Sequence, residues 1–347
     1  MNKQVAALQL GLIFAILVLS AAAAPEKPAH VDAIAPTASV LEMEVIPRTP
    51  ERLARGKYLV EGLLQCPACH SDMDFSKRPI EPFPGKELGG SVFMNETVGL
   101  PQPNRVVAPN ISPDPEFGAG TWKDAIFVRA LRQGIGHDGR TLFPLMPYSF
   151  FRNLSDEDLA SVIVYVRSFP PAHVQQPKIF LTDEIKKTFQ PLPPLPHVPD
   201  PDRSDRVAYG KYLVNAGHCS ACHDSYDDKG NPIPGMDFAG GGELTGPWEG
   251  GTQLKTVNAL NLTPDPSGIG YFSEAMFVEV LRNGGFKSRP LSSIMPWNFF
   301  RNLSDDDLKA MFAYLKTLKP VCHHVDNTET PTYCKICKTK HGQGAMN

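Results

Sequence analysis

A chain of 347 residues with 42% hydrophobic residues can bury a sizeable core, and its length predicts two or three domains of ordinary size. A formal charge of −3, from 34 basic and 37 acidic residues, supplies no overall field for nucleic acid or an anionic membrane surface, so no nucleic-acid partner is expected. The 34 prolines, roughly twice the usual share of about 5%, favour irregular extended backbone over long helices or continuous sheets.

The first residues read as an export signal. Lys3 is the positive head, residues 5–19 are the apolar stretch, and Ser20-Ala21-Ala22-Ala23-Ala24 supplies small residues of the A-x-A type. Cleavage would start the mature chain between Ala24 and Lys27. Retention as an anchor is the competing reading, because the low-polarity run reaches about 20 residues with the alanines and Pro25 crowds the cut. Residues 1–24 are therefore expected to be a signal peptide or N-terminal anchor. Either places the body of the protein in the periplasm or at the outer face of the cytoplasmic membrane, with membrane association through the N-terminus or a partner.

The rest of the chain repeats at a period of about 150 residues. Arg55-Gly56-Lys57-Tyr58-Leu59-Val60 returns as Tyr209-Gly210-Lys211-Tyr212-Leu213-Val214, and Asn110-Ile111-Ser112-Pro113-Asp114-Pro115 as Asn261-Leu262-Thr263-Pro264-Asp265-Pro266. Met146-Pro147, followed by Phe150-Phe151-Arg152-Asn153-Leu154-Ser155-Asp156, returns as Met295-Pro296, followed by Phe299-Phe300-Arg301-Asn302-Leu303-Ser304-Asp305. Matches of this length in the same order indicate a duplicated domain, over residues 48–170 and 206–320. Residues 171–205 form a Pro-rich linker around Pro191-Leu192-Pro193-Pro194-Leu195-Pro196, either a stiff extended connector or a strap on the surface.

Each copy signals short helices. Helix 122–133 carries Ala125, Phe127, Val128 and Leu131 and stops at Gly134; 272–283 with Gly284 repeats it. Ser155 with Asp158 three residues on reads as an N-terminal capping pair, followed by Leu159, Val162, Ile163 and Val166 at helical spacing; Ser304 and Asp307 open the same device ahead of Leu308, Met311, Phe312 and Leu315. Gly56 and Gly210, beside Tyr58 and Tyr212, predict a first helix packed closely on the last one, near Tyr165 and Tyr314. The fold class is mostly α, a type of small domain that often needs something inside it to complete the core.

Cys66-Pro67-Ala68-Cys69-His70 and Cys219-Ser220-Ala221-Cys222-His223 identify that component. C-x-x-C-H is the haem c attachment signature: Cys66, Cys69, Cys219 and Cys222 form thioethers to two covalently attached haems, and His70 and His223 ligate the irons. A zinc site would need two further ligands, and a thioredoxin-like motif does not call for the histidine. Met146 and Met295, each followed by proline and preceding the final helix, are the expected second ligands. A lone methionine is ordinarily core filler, but the same placement in both copies argues for ligation. His137 is the rival in the first copy, and the second copy has no histidine in the corresponding stretch. Arg132 and Arg282 are candidates for haem propionates or plain surface arginines; Asn110 and Asn261 are expected mainly to make turns.

On these residues the chain resembles two fused class I cytochrome c domains, each wrapped around one covalent haem. The Asn-[Ile/Leu]-[Ser/Thr]-Pro-Asp turn, the helix ending Leu-Arg-x-Gly and the Met-Pro-x-x-Phe-Phe-Arg-Asn-Leu-Ser-Asp stretch are similar to the cytochrome subunits of membrane-associated bacterial alcohol and gluconate dehydrogenases. The resemblance implies crossing first and last helices. Those subunits commonly carry three haems, and here the tail departs. In residues 321–347, Cys334-Lys335-Ile336-Cys337-Lys338 has lysine where the ligand histidine would stand. A disulfide among Cys322, Cys334 and Cys337 is the leading expectation for the tail. A small metal site using His323, His324 or His341 is the alternative, with no metal favoured.

The function expected from this reading is electron transfer, with no substrate bond made and no catalytic residues. The donor partner would be a dehydrogenase subunit and the acceptor an oxidase or another cytochrome. Two rivals are a dihaem peroxidase, which needs one open iron face and against which two equivalent methionines argue, and a haem-based sensor that takes a gas ligand after a methionine leaves, which carbon monoxide binding to the untreated reduced protein would favour.

Overall fold

A computed structural model describes residues 39–247, 253–287 and 289–347. The expected signal or anchor lies outside these. Among the described residues no helix is long and apolar enough to cross a membrane.

Both halves run through the same succession of short helices. In the first, α1 (Pro50–Tyr58) starts at Thr49, whose hydroxyl accepts the Arg52 amide, and continues through one wide turn, Leu59–Leu63, towards α2 (Cys66–His70). Then come α3 (Asn95–Val98), α4 (Asp124–Gln133), α5 (Tyr148–Phe151), α6 (Asp156–Val166) and α7 (Asp183–Lys186). In the second, α8 (Arg206–Ala216), α9 (Ser220–His223), α10 (Glu274–Asn283), α11 (Trp297–Phe300) and α12 (Asp305–Leu315) answer α1, α2, α4, α5 and α6. The two mid-length helices begin two residues later than the sequence predicts. They end as predicted, at Gly134 and Gly284, whose φ values of 70° and 67° suit glycine. Strands among the described residues pair only as two-stranded antiparallel ribbons, the longest joining Glu243–Pro247 to Leu254–Asn258. The mostly α expectation holds.

Helix α1 packs on α6 and α8 on α12. A Cβ at Gly56 would collide with the Ser161 carbonyl and the Tyr165 side chain; one at Gly210 would collide with the Ala310 carbonyl and lie 3.1 Å from the Tyr314 Cβ. The glycines therefore permit backbone-to-backbone approach where the helices meet. Leu59, Leu63, Leu159 and Ile163 of the first half share one apolar core with Leu213, Leu308, Met311 and Leu315 of the second. Each such side chain, fully buried, contributes about 1.5–3 kcal/mol.

The halves are also tied reciprocally. The Tyr58 phenol donates to Asp307 (2.6 Å) and accepts the Ser304 amide (2.9 Å); the Tyr212 phenol donates to Asp158 (2.6 Å) and accepts the Ser155 amide (3.1 Å). Each half's first helix thus caps the other half's last helix. This corrects the capping-pair expectation in one respect. Ser155 and Ser304 accept the Asp158 and Asp307 amides as predicted, but the Asp158 carboxylate turns away to Arg55 (2.7 and 2.8 Å) and Tyr212.

The Pro-rich segment lies as a strap along the first half. The Leu192 amide donates to the Gln133 carbonyl, Arg152 to the Pro193 carbonyl, and the Asp156 amide to the Val198 carbonyl. Leu181 and Phe189 are buried against Val98, Leu100, Val106 and Phe143. Proline has no N–H to offer a sheet, but its carbonyl can accept, which suits a strap pinned by donors from beneath.

Candidate haem sites

Each C-x-x-C-H motif occupies a single helical turn entered through a left-handed residue, Gln65 (φ 53°) or His218 (φ 45°). That reversal sets the two cysteines and the histidine on a short turn against the core. His70 and His223 are buried. Nδ1 of His70 donates to the Pro109 carbonyl (2.8 Å), and Nδ1 of His223 to the Leu260 carbonyl (2.7 Å). A carbonyl has no proton to give, so in both rings Nδ1 carries the hydrogen and Nε2 keeps a free lone pair. Burial holds both imidazoles below the ordinary histidine range, against the opposing pull of the carbonyls, and so favours the neutral, ligating form.

Met146 and Met295 sit at the head of α5 and α11. They are half-buried on the same core as Cys66 and Cys219. The Tyr148 amide donates to the Met146 carbonyl (2.8 Å) and the Trp297 amide to that of Met295 (2.7 Å), so the proline after each methionine spans a tight turn.

Behind these loops stand Arg132 and Arg282, and here the propionate expectation is corrected. The Arg132 guanidinium donates to the carbonyls of Arg152 and Leu154 (2.6 Å to the latter) and to Asp156 (2.7 Å). Arg282 donates to the carbonyls of Arg301 and Leu303 (2.7 Å to the latter) and to Asp305 (2.6 Å). Both arginines therefore pin the stretch between the methionine and the last helix. Asn110 and Asn261 make turns as expected, and they do more. Each accepts from the hydroxyl and amide two residues on, while its amide group donates to passing chain: Ala172 and Val174 for Asn110, Val321 and His323 for Asn261. His137 stacks on Trp122 (4.4 Å between ring centres).

The residues fit a haem in each half. Four buried side-chain nitrogens among the described residues lack a protein partner, Arg129 Nε, His218 Nδ1, Gln65 Nε2 and Trp297 Nε1; Gln65 directly precedes Cys66 and Trp297 stands two residues past Met295. Beside a ligand set of thiols, imidazole and thioether, such donors suit the polar edge of a porphyrin bearing carboxylates.

Pattern reading missed contacts that run between the halves. Phe150 and Phe151, which follow Met146, lie against the ring of His218, which precedes Cys219 (6.1 and 5.9 Å between centres). Phe299, which follows Met295, clusters with Ala68 inside the first cysteine pair, together with Met73 and Ile80. The repeated Phe-Phe pair was visible in sequence, but its contact with the other copy was not. The expected tail disulfide is absent: all seven cysteines, each of them described, are unpaired, Cys322 is exposed, and Cys334 and Cys337 are buried.

Residues 207–319 match the cytochrome c family. Over most of its length the chain is similar to the cytochrome c subunit of alcohol dehydrogenase (quinone) from Gluconacetobacter polyoxogenes, with 29% identity over 307 residues, 82% of this chain and 60% of that protein. The gluconate 2-dehydrogenase cytochrome c subunit of Pantoea cypripedii is likewise 29% identical, over 293 residues, 76% of this chain and 59% of that protein. A dihaem c-type cytochrome of Cereibacter sphaeroides is 26% identical over 234 residues, 62% of this chain and 72% of that protein. The chain thus spans less than two thirds of the dehydrogenase cytochromes it matches.

Proposed function

We propose that this chain is an electron-transfer protein holding two haem c groups, one on Cys66, Cys69, His70 and Met146, the other on Cys219, Cys222, His223 and Met295. Haem iron supplies the one-electron change between ferrous and ferric states. The observation that carries the reading is the pair of buried histidines whose Nδ1–H is committed to a backbone carbonyl, leaving Nε2 for iron in both halves. Such a hydrogen bond fixes ring orientation and strengthens the ligand. With Met146 and Met295 as the second ligands, a haem would have no open position for substrate and would have a raised potential, which argues for electron carriage over peroxidase or sensor chemistry.

The partners proposed are a dehydrogenase subunit as donor and an oxidase or another cytochrome as acceptor, at the periplasmic side of the cytoplasmic membrane. Relatives named as cytochrome subunits of alcohol, fructose and gluconate dehydrogenases support the donor class. Phe150, Phe151 and Phe299 each join one half's methionine loop to the other half's C-x-x-C-H motif, which supports an electron path through packed protein between the two proposed centres.

The test is the oxidised and reduced spectrum of the purified protein with a haem-to-protein ratio. Two covalent low-spin haems with the weak near-infrared methionine-to-iron band are expected, and Met146→His and Met295→His should each remove part of that band and lower one potential. A high-spin haem in the resting protein, or a band untouched by both substitutions, would overturn the ligand assignment.

A further inference from the structure

The tail carries its own ligand cluster. His323, Cys334, Cys337 and His341 are all buried, and one ligand atom from each lies within 4.8 Å of the others. His323 Nε2 is 3.5 Å from Cys334 Sγ, and His341 Nε2 is 3.4 Å from Cys337 Sγ. A tetrahedral zinc ion with Zn–S near 2.3 Å and Zn–N near 2.0–2.1 Å sets adjacent nitrogen and sulfur about 3.6 Å apart. The backbone serves the ligands as well. Nδ1 of His323 donates to the Ala239 carbonyl (2.8 Å) and Nδ1 of His341 to the Gly342 carbonyl (3.0 Å), so both rings present Nε2 to the cluster. The Cys337 amide points at Cys334 Sγ (3.5 Å), as suits a sulfur that carries negative charge.

The local fold is built around these four. Pro331–Tyr333 pairs with Lys340–Gly342 as a hairpin, its loop closed by the Cys334 amide on the Thr339 carbonyl (2.9 Å) and the Lys338 amide on the Cys334 carbonyl (3.0 Å). In residues 321–347 the buried positions are the four ligands plus Gly342 and Gly344. The strap on the first half, by contrast, anchors through Leu181 and Phe189. A segment with no apolar core of its own needs a staple, and burying two thiols and two imidazoles is costly unless they share a partner.

We propose that His323, Cys334, Cys337 and His341 bind one structural zinc ion, which locks the tail onto the second half. A tetrahedral set of two thiolates and two imidazoles suits zinc, and a closed site of four protein ligands leaves no position for substrate. The lock bears on the second haem motif. His323 is bonded to Ala239, and the next amide, that of Gly240, donates to the His223 carbonyl (2.7 Å). Cys322 and His324 stay outside; His324 is held to Asn347 by paired hydrogen bonds.

The experiment is elemental analysis with native mass spectrometry on the full-length, haem-loaded protein. One zinc per chain is expected in addition to haem iron, lost in Cys334→Ser and in His341→Ala with haem content unchanged, and accompanied by faster proteolysis of the tail. Should either variant misfold, chelator-stripped wild-type protein reloaded with Zn²⁺ alone provides the same readout. Failure to take up one equivalent of Zn²⁺, non-haem iron in its place, or a native mass two hydrogens short from a Cys334–Cys337 disulfide would each overturn the proposal.

Discussion

The Tyr58 phenol of the first half sits 2.6 Å from the Asp307 carboxylate of the second, and Tyr212 makes the same contact in the opposite direction with Asp158. Burial and the neighbouring carboxylate push both phenols well above the ordinary tyrosine range, so each remains a proton donor at any physiological pH. The two halves are thereby joined by a two-way exchange of helix caps.

Removing these hydroxyls weakens the join unequally. Asp158 is buried and Asp307 only partly so. Tyr212→Phe should therefore cost about 1–3 kcal/mol and Tyr58→Phe less, measured by denaturant unfolding of the haem-loaded protein. Equal costs would show that burial of the acceptor does not set the strength of the contact.

Gly56→Ala and Gly210→Ala should each destabilise by about 1–3 kcal/mol or more, because the obstacle is the backbone carbonyl of Ser161 or Ala310, which cannot rotate away. Gly139→Ala, where nothing lies within 4 Å of the added carbon, controls for the loss of glycine itself, although its φ of 81° carries some strain. Thermal melts of all three variants make the comparison. A Gly56→Ala protein as stable as wild type would refute the close crossing of α1 and α6.

Arg132 and Arg282 do the same job in different surroundings. The Arg132 side chain is 2% exposed and its partner Asp156 is 7% exposed; the corresponding figures for Arg282 and Asp305 are 33% and 60%. Arg132→Met leaves the Arg152 and Leu154 carbonyls without their donor and takes the cation from Asp156, which keeps Ser39, His197 and the Val198 amide, and should cost about 3 kcal/mol. Arg282→Met should cost about 1 kcal/mol, since water can replace the lost contacts. On the ligation proposed for Met146 and Met295, the methionine-to-iron band followed during unfolding would report whether the loop lets go first.

His218 makes acid a specific stress on the join. Burial holds its ring down to about 4, from an ordinary 6.5. Stability is full above about 6.5, because the ring is neutral in folded and unfolded chains alike. As the pH falls from there towards 4 the unfolded chain takes up the proton first, and up to about 3 kcal/mol is lost before the curve levels off. His218→Leu should flatten this part of the stability profile. An unchanged slope would place the acid sensitivity elsewhere.

The amino-acid sequence determined the internal repeat, the C-x-x-C-H motifs and the helix stops, because each is written in local chemistry: a cysteine spacing, a glycine at a positive φ, a serine before an apolar run. It also marked the methionine loops, since repetition at the same place distinguishes them from core filler. What Arg132, Asn110 and Tyr58 bind was settled only by the tertiary structure, because a guanidinium, a carboxamide and a phenol accept many partners and the chain must close before one is within reach. The tail shows the same division. Cys334-x-x-Cys337 and its neighbouring histidines are visible in sequence, with His341 four residues past the pair. Only the hairpin that folds Lys340–Gly342 back on Pro331–Tyr333, and the Asn261 clamp that holds Val321 and His323, brings the four ligand atoms together.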